Sequence, residues 1–206
     1  MSKKFKLLAL LISLSITMCI MSNTYSKYAA DTTGNLEVSF AKWQILVNTQ
    51  DITDGVSRTL NITPTIDTNA NVAEGKLAPA STGYFDIEVD PSNVEVSYTY
   101  RITLSAANES MPDVKMIKYA ILDSDYTPGD TIEKTNITNN QITGTENYQA
   151  GGFDPFTIRV YFEWVEGEGE TMNDAADTVI GHNATNSATD SMEMTANIHF
   201  EQKISD

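Results

Sequence analysis

A side-chain period of two, sustained through most of the chain after Leu36, narrows the possible folds more than any other feature of this chain. Across 94–104 the even positions are Val94, Val96, Tyr98, Tyr100, Ile102 and Leu104. The odd ones are Glu95, Ser97, Thr99, Arg101 and Thr103. Successive strand side chains point to opposite faces, so this segment buries one face and wets the other, as an antiparallel sheet does. In the preceding run Phe85, Ile87 and Val89 alternate with Asp86, Glu88 and Asp90, and Pro91-Ser92-Asn93 is the turn. Phe156, Ile158, Val160, Phe162 and Trp164 form a third apolar row, and Met192, Met194, Ala196, Ile198 and Phe200 a fourth. Segments 115–123 and 131–138 are weaker strand candidates. One helix is expected near 172–180, with Met172, Ala175, Ala176 and Val179 at helical spacing, Asn173 or Asp174 as cap and Gly181 closing it. Six to eight strands with regular turns predict an all-β chain: one antiparallel β-sandwich of jelly-roll or Greek-key type with a short helix. A chain of 206 residues is long enough to bury a real core.

Ahead of the strands lies an export signal. Lys3, Lys4 and Lys6 precede an apolar run of 15 residues, 7–21, and Thr24 and Ser26 are small residues suited to cleavage before Lys27. The expected division is a signal peptide at 1–26, an N-terminal arm at 27–40 and a sandwich domain at 41–206. The only cysteine, Cys19, lies within the apolar run, and Met18 before it does not suit lipid attachment. The mature chain is then cysteine-free, so its stability rests on packing rather than disulfides.

The arm is set apart by a change of phase. Leu36, Val38 and Phe40 share one face, whereas Trp43, Ile45 and Val47 fall in the opposite register. A continuous strand would send the two trios to opposite sides of its sheet. Either a bulge near Ala41-Lys42 reconciles them, or the first trio belongs to a separate arm that completes a neighbouring subunit's sheet.

With 28 acids against 13 bases the net charge is −15. That balance argues against nucleic acid and anionic membrane surfaces as partners. Catalytic constellations are scarce, and no enzyme, cofactor or metal site is expected. The two histidines lie in different elements. His199 falls on a polar strand face, and His182 after Gly181 suits a helix end, with Asp174 and Asp177 as remote metal partners. Asp123, Asp125 and Asp130 form an acidic turn without the glycine and glutamate spacing of an EF-hand. Lys42, expected in a strand beside Trp43, is a remote candidate for a Lys–Asn isopeptide bond.

The segment Leu77-Ala78-Pro79-Ala80-Ser81-Thr82-Gly83-Tyr84-Phe85-Asp86-Ile87 resembles the "IAPGTSGSFDI" stretch of the TasA/camelysin-like exported proteins of Gram-positive bacteria. Phe162-Glu163-Trp164, followed by Asn173-Asp174, Asp177-Thr178 and Ile180-Gly181, is similar to that group's "W-E-W … ND … DT.LG" stretch. Thr24-Tyr25-Ser26-Lys27-Tyr28 looks like a signal handled by its SipW-type peptidase. The resemblance implies a jelly-roll subunit of biofilm matrix fibres, exported to the extracellular matrix or cell surface. It also implies head-to-tail polymerisation by donation of the N-terminal strand. Tyr28, Leu36, Val38 and Phe40 would be the anchors, and the partner is another copy of the chain, with other matrix or surface components beside it. The alternatives are a monomeric surface-binding or fibre-accessory module and a camelysin-type metal-dependent protease; the chain offers no zinc-ligand cluster for the latter.

Overall fold

The computed structural model describes residues 3–25, 39–53, 62–106, 113–165, 174–186 and 194–204. The chain divides into two units, 1–40 and 41–206. In the first, helix α1 (Lys3–Tyr25) exposes Phe5, Leu7, Leu10, Ile12 and Ile16 around its circumference. Its apolar run spans about 22 Å at 1.5 Å per residue, short of a hydrocarbon core of roughly 30 Å. Among the described residues no helix is long and apolar enough to cross a membrane.

The second unit is mostly β. Its strands are β1 (Leu46–Val47), β2 (Gln50–Asp51), β3 (Thr65–Ile66), β4 (Thr82–Asp90), β5 (Tyr98–Ala106), β6 (Val114–Asp123), β7 (Thr135–Asn136), β8 (Gln141–Glu146), β9 (Phe156–Trp164) and β10 (Met194–Gln202). Helix α2 (Asp174–Asn186) stands between β9 and β10. Two antiparallel sheets result. The larger runs β2-β1-β4-β9-β6-β7, with β3 also on β4, and the smaller runs β10-β5-β8.

Both sheets supply one hydrophobic core. Phe85, Ile87, Val89, Ile158, Val160, Phe162 and Trp164 come from the larger sheet, and Tyr98, Tyr100, Ile102, Leu104 and Ile142 from the smaller. The alternation expected for β4, β5 and β9 is the alternation observed. Strands β4 and β5, though consecutive, lie in different sheets. The turn closed by the Val94 N–H donating to the Pro91 carbonyl (2.9 Å) carries the chain from one to the other.

Several expectations are corrected. Among the described residues strand pairing starts at Leu46, so neither Ala41 nor Lys42 is a strand residue; Leu36 and Val38, where the first strand was expected to start, lie outside the described residues. The weak candidate 131–138 shrinks to the two residues of β7. Strand β6 does carry a bulge, between Met116 and Lys118. One extra residue there reverses the inward phase: Met116 pairs with buried Phe162 before it, and Tyr119 pairs with buried Val160 after it. Helix α2 runs through Gly181, whose backbone stays helical instead of taking the left-handed form that closes a helix. Met172 lies outside the described residues. Val179 is exposed, and Ile180 packs on the core.

Candidate functional site

The domain starts abruptly. Phe40 is 94% exposed, whereas Trp43 is half-buried and Ile45 and Val47 are fully buried. Between them Lys42 is clamped to Glu95. Its amide donates to Glu95 Oε2 (3.0 Å), its carbonyl accepts from the Glu95 amide (3.0 Å), and its ammonium lies 3.4 Å from Glu95 Oε1. The Lys42 backbone N–H, before any charge effect, holds the Glu95 carboxyl below its ordinary range. The Lys42 amine therefore faces a carboxylate, not an asparagine. Of the expected assembly residues, Phe40 is described, and Tyr28, Leu36 and Val38 lie outside the described residues.

In the smaller sheet β10 is an edge strand. Nine residues of β10 pair with β5, from Met194↔Ala106 to Gln202↔Tyr98, and no described strand pairs on its outer side. The Lys203 N–H donates to the Ser97 carbonyl (2.8 Å) in the same register. In an antiparallel ladder hydrogen-bonded pairs alternate, so Thr195, Asn197, His199 and Glu201 bond to β5. Met194, Ala196, Ile198, Phe200 and Gln202 then turn their N–H and C=O groups outward. The side chains of Met194, Ala196, Ile198 and Phe200 pack against the core but are only half-buried. Their β5 neighbours Tyr98, Tyr100, Ile102 and Leu104 are 0–3% exposed.

One end of the core is aromatic and acidic. Tyr98 is ringed by Trp43, Phe153 and Phe200 at centroid distances of 6.4, 5.0 and 5.9 Å. Glu146 stands opposite it on β8, on the face of buried Ile142. Burial raises the Glu146 carboxyl above its usual range, and burial, then the Glu146 charge, pushes the Tyr100 hydroxyl up to about 12.

The solvent face of the larger sheet carries a groove of about 520 Å³. Asp86, Glu88, Asp90, Asp123, Tyr126, Phe156 and Arg159 line it. Arg159 grips Asp86 through Nε–Oδ1 (2.8 Å) and Nη2–Oδ2 (2.7 Å) and stacks 4.0 Å from the Tyr84 ring centroid. With its one guanidinium engaged, the groove presents Glu88, Asp90 and Asp123 beside aromatic faces, which suits cations rather than anions. Alternation places Arg159 on the polar face but gives no sign of its partner, 73 residues away.

The remaining candidates stay apart. His182 is interior to α2, not at its end; its Nε2 lies 3.0 Å from Asn186 Nδ2. His199 is on the exposed face of β10. Asp130 Oδ2 accepts from the Thr127 N–H (2.8 Å), which closes the acidic turn on itself. Among the described residues no group of three or more His, Cys, Asp or Glu could hold a metal ion. No protein-family model and no curated protein matches the chain.

Proposed function

We propose that this chain is a secreted β-sandwich of jelly-roll type that serves as a structural subunit of extracellular matrix fibres. Its N-terminal segment 27–40 is donated to the next copy. Donation satisfies a row of strand-edge N–H and C=O groups and buries alternate apolar side chains. Because the donating and accepting surfaces differ, the contact is heterologous and propagates into a filament. The observation that carries this reading is the state of Phe40: a large apolar side chain 94% exposed, two residues before Lys42, whose backbone is hydrogen-bonded to Glu95. No catalytic role is proposed for any residue.

The groove on the larger sheet favours a second reading, a monomeric surface-binding or fibre-accessory module. Protein beginning at Lys27, compared with protein beginning at Ala41, separates the two by size exclusion and negative-stain microscopy. The fibre reading expects filaments from the longer form and monomers from the shorter. Folded monomer from both overturns it in favour of the module.

A further inference from the structure

We infer that the acceptor for the donated strand is the outer edge of β10, with residues 36–40 of a second copy lying beside Ala196, Ile198 and Phe200. This rests on the fibre reading and adds to it the site and the register.

The choice follows from comparing the edges. The larger sheet ends in β2 and β7, two residues each, too short to template a strand, and the outer edge of β6 is broken midway by its β7 pairing at Lys118 and Tyr119 and by the bulge between Met116 and Lys118. In the smaller sheet β8 offers six residues and β10 nine. On β8 the inward row is Ile142, Gly144 and Glu146, with one apolar side chain, a glycine and a carboxylate. The N–H of its first residue, Gln141, is already taken by the Thr138 carbonyl (3.0 Å). On β10 the inward row is Met194, Ala196, Ile198 and Phe200, apolar throughout and half-buried. A fifth strand-edge residue, Gln202, extends the outward-turned backbone groups at one end. The core is therefore closed on its β5 side and unfinished beyond β10, among the described residues.

Leu36, Val38 and Phe40 have the matching period of two, with Glu37 and Ser39 between them. A five-residue strand covers about 17 Å and β10 about 30 Å at ~3.4 Å per residue, so several registers fit by length. Charge narrows them. The wet face of β10 carries Thr195, Asn197, His199 and Glu201, and like charges directly opposite are unfavourable. Val38 opposite Ile198 sets Glu37 and Ser39 against Asn197 and His199 in either strand direction, and keeps Glu37 off Glu201.

Because Cys19 precedes Lys27, protein starting at Lys27 has no native cysteine, and engineered cysteines report cleanly. Opposed residues in a hydrogen-bonded antiparallel pair have Cα atoms about 5.5 Å apart, within disulfide range. Protein carrying Val38→Cys is mixed with protein carrying Ile198→Cys, then oxidised, and the joined peptides are identified by mass spectrometry. Ala196→Cys repeats the acceptor test in case Ile198→Cys fails to fold, and Thr143→Cys on β8 is the competing edge. Filaments in which the Val38→Cys thiol joins position 198 or 196 of another copy are the expected result. Filaments whose cross-links form at 143, or at neither β10 position, overturn the β10 assignment and leave the fibre reading standing. Folded protein with neither filaments nor cross-links overturns both.

Discussion

Tyr100 lies against Gly144 so closely that a Cβ at position 144 would overlap the phenol ring at Cζ, Cε1 and the hydroxyl. The two residues face each other in the β5–β8 register, so the ring lies across the one position of β8 that has no side chain. Gly144→Ala is expected to destabilise the domain by about 1–3 kcal/mol, the usual cost of forcing an extra methyl into a packed core. Urea unfolding checks this, and unchanged stability would mean that Tyr100 has room to move. Gly83→Ala is a second instance, since its Cβ would meet the Thr65 carbonyl at 2.5 Å and Phe162 Cζ at 2.6 Å.

Arg159→Lys keeps the charge but cannot reproduce the planar two-point grip on Asp86 or the stacking on Tyr84. The pair is only partly exposed, so a loss on the order of 1 kcal/mol is expected. Asp86→Asn together with Arg159→Lys should cost less than the sum of the single changes, because each alone already breaks the fork. Additive losses in that double-mutant cycle would show the two residues to be uncoupled.

Glu146 binds its proton more tightly in the folded protein than in the unfolded chain, because burial disfavours the carboxylate. Stability contributed by this group is therefore complete below the ordinary carboxyl range. It is lost as pH rises through the raised folded value. Glu146→Gln should be more stable than the parent at pH 7, with the advantage vanishing toward acid pH. A constant difference between the two across that range refutes the assignment.

The Tyr100 hydroxyl, raised from 10.0 to about 12, destabilises the folded state as pH climbs between those values. Tyr100→Phe should remove that part of the alkaline loss. Chemical denaturation at pH 9 and pH 11 makes the comparison.

Without its first 26 residues the chain holds ten bases and 28 acids, a charge near −18. Subunits should repel at neutral pH and low salt and associate when acid neutralises, or salt screens, that charge. Light scattering during a descent from pH 7 to pH 4 should rise; a flat trace contradicts the expectation.

The local part of the fold is written in the residues themselves. Strands β4, β5, β9 and β10 are legible because a half-buried strand writes its two faces into alternate residues, a pattern independent of its partners. Strand β8, Gln141–Glu146, escapes such a reading because a polar edge strand with one large apolar residue carries almost no periodic signal. Asn139 and Asn140, both with φ of 54°, are the two-residue turn before it, and that dipeptide is the available clue. How strands are shared between sheets emerges only from tertiary packing. The turn at Pro91 has the residues of a hairpin turn yet joins two sheets, since pairing depends on which distant edges compete for each strand. Packing also sets the β6 bulge, the Arg159–Asp86 fork and the end of α2, where Gly181 gives way to continued helix. It leaves the outer side of β10 without a neighbour among the described strands, because an unfinished edge is defined by which strands pair elsewhere and by no residue of its own.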